Sequence, residues 1–436
     1  CATTEDKPDA TLEDLQPLYQ AVAHGCHGGM QQETRERVYR DRIQRGREAY
    51  STFKLGALGS DLGAVACFFE TPWSLVSPAI AEADQAWLLN EAAFTLRALG
   101  RMTEALEPMR AGLEMRIMQE YWKNAAIMAN NLSELELTLG DVAGAVGDAE
   151  QSVIYADRSS DAFWRMGART AHADALHQRG RRDEAEARFR AAEQMQAERQ
   201  PDYPLLYSMA GFRHCDLLLS EAEREAGRAE EELKREEGPA VCRVVAERAV
   251  RTLDWAVNHF NFGLLSIALD HLTLGRAALY AAILESRSRQ REMAQPSPPT
   301  TSEESQRGFT SPATELDHAV SDLRRAAAVE FLARGLLTRA WLRSLTGART
   351  GPESAQSDLD EAWEIAERGP MPLFLADIHL YRARLFFREA KYPWQSPQHD
   401  LDEARRLIFK HGYLRRKEEL EDAEAALENL GNAAAP

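Results

Sequence analysis

The sequence predicts an all-α fold: a solenoid of antiparallel helical hairpins, an α-α superhelix. Three observations carry this expectation. The composition suits packed helices, being rich in Ala, Leu, Glu and Arg, with 44% apolar and only 8% aromatic residues. A Gly–Ala signature recurs three times in the first half of the chain. A second, acidic signature recurs near its end.

The first series is Leu99-Gly100-Arg101-Met102-Thr103-Glu104-Ala105, then Leu139-Gly140 to Ala145, then Arg179-Gly180 to Ala185, a period of 40. Gly accepts the left-handed conformation that ends a helix. The Ala five residues later lets the second helix pack closely on the first. Met109, Ala149 and Phe189 follow four residues on, along the same face. Leu96 and Leu176 precede their glycines by four residues, whereas the middle unit has Glu136 there. These offsets are those of tetratricopeptide (TPR) repeats, whose usual period is about 34 residues; the longer period here implies longer helices or connections. In the second series, Asp358-Leu359-Asp360-Glu361-Ala362 returns as Asp400-Leu401-Asp402-Glu403-Ala404 after 42 residues. Each copy reads as the start of a helix capped by its Asp. Apolar-periodic helices near 336–345 and 373–387 precede them.

Along the chain, residues 1–11 are expected to be flexible. Residues 12–80 form an N-terminal helical region, its first helix capped by Thr11 to Asp14, with no segment alternating as a strand does. TPR-like repeats occupy 81–285, the weaker units lying at 205–236 and 240–284. Residues 286–314 carry Pro296, Pro298, Pro299 and Pro312 among polar residues and read as a flexible loop. Further repeats fill 315–412. Residues 413–436 read as a solvated capping helix and tail.

With a net charge of −17, the chain has no affinity expected for nucleic acid. No stretch approaches the 18 or more apolar residues that a membrane span needs, so no membrane is expected. The five cysteines, Cys1, Cys26, Cys67, Cys215 and Cys242, are odd in number and scattered, as for free thiols in a reducing cytoplasm. Starting at Cys1 instead of Met, the sequence is expected to be a fragment or a processed chain. It contains no Gly-Lys phosphate loop, HExxH or GxSxG motif. No catalytic residue, metal or cofactor is expected. The densest group of ligating side chains, His24-Gly25-Cys26-His27, reads as the end of a helix, in preference to a zinc site or a cysteine nucleophile.

In a stack of hairpins the first helices line the concave face, the usual binding surface. Counting from the three glycines, the inward polar positions are Asn90 and Arg97, then Asn130, Asn131 and Glu134, then Thr170, Asp174 and His177. Asn both donates and accepts, and so can hold a bound peptide backbone. Trp87, Trp122, Trp164 and Trp341 read as packing residues.

Leu18-Tyr19-Gln20-Ala21-Val22-Ala23-His24-Gly25-Cys26, Asp84-Gln85-Ala86-Trp87-Leu88-Leu89-Asn90-Glu91-Ala92 and the stretch Leu375 to Leu385 resemble the C-terminal TPR arrays of bacterial STAND proteins. These are signal-transducing NTPases with a NACHT or related ATPase core. The resemblance implies a sensor without catalysis of its own, which recognises a protein or peptide trigger and releases an ATPase and effector absent from this chain, as in antiphage defence. The alternative is a stand-alone TPR scaffold or adaptor that holds partner peptides.

Overall fold

Helix-forming side chains run through nearly every segment, and helices take up most of the chain that the structure describes. The structure is a computed structural model and describes residues 7–228, 238–260, 263–294, 311–326 and 328–433. The protein is all-α, with nineteen α-helices and one two-stranded β-ribbon among the described residues. It divides into two compact units. One comprises Cys1–Leu135 with Gln151–Asp161, the other Glu136–Glu150 with Ala162–Pro436.

In the first unit, α1 (Leu12–His27), α2 (Gln31–Thr34), a π-helical segment (Arg35–Ile43), α3 (Tyr50–Phe53) and α4 (Leu58–Ala66) precede the repeats. The expected capping box is present: Thr11 Oγ1 accepts from the Asp14 amide at 3.3 Å, and the Thr11 amide donates to Asp14 at 3.0 Å. Within residues 7–11, expected to be flexible, backbone carbonyls accept side-chain hydrogen bonds. Arg45 donates to the Pro8 carbonyl at 2.5 Å and the Tyr50 hydroxyl to that of Ala10 at 2.8 Å. Residues 1–6 lie outside the described residues. The expectation of no strand is corrected by a short antiparallel pair, β1 (Phe69–Thr71) and β2 (Leu75–Val76). At three and two residues, these strands are too short to show alternation. Leu18, Val22, Tyr39, Phe68 and Leu88 lie in this unit's core.

The three period-40 hairpins are α5 (Glu82–Ala98) with α6 (Met102–Met118), α7 (Trp122–Leu139) with α8 (Val142–Ser159), and α9 (Ala162–Gln178) with α10 (Arg182–Arg199). Each helix has 17 or 18 residues and the connections are short turns, so longer helices account for the period. Gly100, Gly140 and Gly180 all have positive φ, at 76°, 84° and 82°. Around each, the following amide donates to the carbonyl of Leu96, Glu136 or Leu176, at 2.9, 2.8 and 2.9 Å. The glycine's own amide donates to the carbonyl of Arg97, Leu137 or His177. This is the paired bonding of a Schellman cap, which requires the left-handed residue. Ala105, Ala145 and Ala185 are fully buried, as the close approach of the two helices demands.

The second unit continues with α11 (Ser208–Gly227), α12 (Gly238–Asp254), α13 (Leu264–Ala294) and α14 (Pro312–Arg325). It ends with α15 (Val329–Leu345), α16 (Ala355–Arg368), α17 (Pro372–Phe386), α18 (Pro397–His411) and α19 (Lys417–Ala433). α13 continues through Ala294, into the stretch expected as loop, and α14 begins at Pro312; residues 295–310, with Pro296, Pro298 and Pro299, lie outside the described residues. By length and composition α13 contains a segment apolar enough to cross a membrane, within Leu264–Gln290, and 78% of its apolar 18-residue window is buried inside the protein. That burial is the mark of a core helix.

Asp358 and Asp400 do not cap their helices as expected. Ser354 and Ser396 do, accepting from the amides of Ser357 and His399 at 3.1 Å. The two Asp side chains are buried one turn further in and serve the preceding helix. Asp358 accepts from Arg339 at 2.7 Å and Arg343 at 2.9 Å, and Asp400 pairs with His379 at 2.5 Å. The acidic signature therefore marks a link between the two helices of a hairpin.

Candidate functional site

Five of the eight expected binding residues lie in the first unit. Arg97 on α5 is 3.7 Å from Glu134 on α7, and Asn130 donates to Glu134 at 3.1 Å. Asn130 is buried; Asn90, Arg97, Asn131 and Glu134 are half-buried. Phe94, one turn before Arg97, is 42% exposed. Adjacent first helices thus bring together a cation, a carboxylate, amides and an exposed aromatic ring, a combination suited to a peptide with both charged and apolar side chains.

The other three are placed differently. Thr170 and His177 are buried, and Asp174 is half-buried. The Thr170 hydroxyl bonds back to the Gly167 carbonyl at 2.7 Å. Asp174 is paired with Arg213 at 3.3 Å and accepts from Gln178 at 2.7 Å. Burial, then the Arg415 guanidinium, holds the His177 imidazole well below its ordinary pKa, so it is neutral. The face carrying Gln178 and Gly180 is covered by the turn before α19. Arg415 reaches the Gln178 side chain at 3.4 Å, and a Cβ on Gly180 would lie 3.0 Å from Leu414.

That turn, the first part of the segment expected as a solvated cap, is drawn inward, while most of α19 is exposed or half-buried. The side chains of Arg415 and Arg416 are buried and enter an ionic cluster. Asp216 on α11 takes Arg276 at 2.8 Å, Arg334 at 2.9 Å and Arg415 at 2.5 Å. Glu223, two turns along, takes Arg276 and Arg416, each at 3.0 Å, and the Tyr381 hydroxyl at 3.1 Å. Arg416 also bridges Asp377 at 2.9 Å and Glu419 at 2.6 Å, and Tyr413 donates to Asp377 at 3.1 Å. Burial pushes the Asp216 carboxyl up, but Arg334, Arg415 and Arg276 override it and hold it well below the usual carboxylate range. The cluster ties α11, α13, α15 and α17 to the C-terminal turn, which makes it architectural. A signal for it does exist in the sequence: Asp216, Arg276 and Asp377 each interrupt an apolar run.

The group at the end of α1 forms a helix terminus. His27 bonds the Ala23 carbonyl at 2.7 Å, and Gly28 caps the helix. Burial pushes the Cys26 thiol up to about 12, which keeps it protonated. Among the described residues no group of three or more His, Cys, Asp or Glu side chains is arranged to hold a metal. Cys26, Cys67, Cys215 and Cys242 are free thiols; Cys1 lies outside the described residues. The four tryptophans singled out all have aromatic neighbours: Trp87 meets Tyr39, Trp122 stacks on Tyr155, Trp164 meets Phe163, and Trp341 meets Tyr280 and Tyr381.

Asp270, buried on α13, accepts from Thr252 at 2.7 Å through Oδ1, while Oδ2 meets no hydrogen-bond donor. Burial pushes its pKa up to about 7. In the unfolded chain the value is about 3.9, so between the two the folded form holds the extra proton. Stability therefore falls as pH rises from about 4 to about 7 and is level above that. Asp270→Asn removes this loss. Its melting temperature is expected to exceed that of the parent by at least about 2 °C at pH 8, the gap closing by pH 4. Scanning calorimetry at both pH values checks this, and a gap independent of pH would refute it.

Compared with known proteins, the chain matches no protein-family model and no curated protein.

Proposed function

We propose that the protein is a protein- or peptide-recognition module whose ligand lies along the first helices α5 and α7 of its first unit. The observation that carries this reading is the meeting of Arg97, Glu134 and Asn130 across α5 and α7, with Phe94 exposed one turn before Arg97. The residues come from equivalent helices of successive hairpins, the arrangement by which helical repeats recognise extended ligands. The likeness of the repeats to STAND sensor arrays supports assigning the module to signal recognition. An adaptor role would use the same surface.

Selection of a random peptide library on the immobilised protein tests the reading. Enriched peptides are expected to lose about tenfold or more in affinity on Phe94→Ala or Arg97→Glu, a loss of about 1.4 kcal/mol typical of an anchor position. Peptides that bind both variants as tightly as the parent would place recognition elsewhere.

A further inference from the structure

The second unit contains a pocket of about 230 Å³ between the ends of α11, α15 and α17 and one face of α19. Five arginines line it, Arg228, Arg287, Arg349, Arg384 and Arg388, against a single lining carboxylate, Asp422. In a chain of net charge −17, such a concentration of positive charge runs against the overall balance. Carboxylates serve some of these arginines but are shared. Asp422 takes Arg228 at 3.0 Å and also Arg224 at 2.7 Å; Glu419 takes Arg384 at 3.1 Å and also Arg416 at 2.6 Å. Glu389 pairs with Arg349, and Arg287 donates to the Glu225 carbonyl at 3.1 Å. Arg388 is exposed and lies over the Phe387 ring at 5.2 Å.

The wall is shaped around these guanidiniums. A Cβ on Gly227 would fall 1.4 Å from an Arg384 nitrogen, so the guanidinium packs directly against this glycine. Arg384 in turn lies over the Trp341 ring at 5.1 Å. Trp341, Leu345, Phe387 and Leu427 add apolar surface to the lining beside the guanidiniums. Its volume is below the roughly 300 Å³ at which pockets for drug-sized molecules begin.

We infer that this pocket binds a phosphate monoester carried on a small apolar or aromatic body. Several arginine forks match the three oxygens and double charge of a phosphate monoester better than the single charge of a carboxylate. The apolar wall takes the body that carries it. A small phosphorylated metabolite and a phosphorylated aromatic side chain of another protein share this chemistry. The inference is independent of the peptide surface on the first unit.

Titration calorimetry of the full chain with phenyl phosphate tests it. Binding is expected to be at least about tenfold tighter than that of inorganic phosphate or phenol, and to strengthen as pH rises past about 6, where the second phosphate proton leaves. Arg287→Glu and Arg388→Glu, both outside the buried ionic cluster, are each expected to weaken it about tenfold or more, with the circular dichroism spectrum unchanged. No binding, binding no tighter than that of inorganic phosphate, or binding indifferent to both substitutions would overturn the inference. If it holds, a phosphotyrosine peptide binding more tightly than phenyl phosphate identifies a protein source, and equal affinity a small molecule.

Discussion

Asp216→Asn is expected to destabilise the second unit by about 3–5 kcal/mol, the range for breaking a buried ion pair by removing one partner. The reason is stoichiometric. One carboxylate, 1% exposed, answers Arg276, Arg334 and Arg415. Asn keeps the shape but removes the charge, leaving guanidiniums in a site with little water to solvate them. The measurement is hydrogen exchange of the α11 and α13 amides, which reports on this unit by itself. The pH dependence has a definite sign. With its folded pKa held well below the unfolded value of about 3.9, Asp216 contributes stability that is fully present above that value and is lost as pH falls toward the folded pKa. The gap between parent and variant should therefore be widest near neutrality and shrink below about pH 4. A gap of less than about 1 kcal/mol at pH 7, the scale of an exposed pair, would show the cluster to be solvated.

Ending the chain at Gly412 is expected to unfold the second unit. The lost segment carries Tyr413, Leu420 and Arg416, all buried, and Arg415, whose side chain is 2% exposed. Its removal leaves Asp216, Glu223 and Asp377 facing each other with fewer cations and uncovers the apolar faces of α17 and α18. Two disrupted ion-pair centres at about 3–5 kcal/mol each already approach the roughly 5–15 kcal/mol that holds a domain folded. Limited proteolysis should cut α11 to α17 rapidly in the truncated chain and spare them in the parent. Retained protection would mean that the repeats fold without their C-terminal turn, as a simple solenoid does.

The repeat hairpins were legible because their signals are local. A positive-φ residue at 100, 140 and 180 can be read from Gly alone, and the fully buried positions 105, 145 and 185 from Ala alone. The proposed binding face was legible in part. Helical periodicity assigns Asn90, Arg97, Asn130 and Glu134 to one side of their helices, and the structure brings Arg97, Asn130 and Glu134 together. The same periodicity placed Thr170 and His177 on an equivalent side, where they are buried.

The sequence by itself thus determined the all-α class and the boundaries of the three period-40 hairpins, since these follow from bonds between residues a few positions apart. Only the tertiary structure decided what covers each face. Arg415 and Asp216 are 199 residues apart, and nothing near either one identifies the other as its partner. A charged residue reads as solvated until its counter-charge is located. Folding can bury it only because the two meet, and that meeting draws the turn before the C-terminal helix into the core.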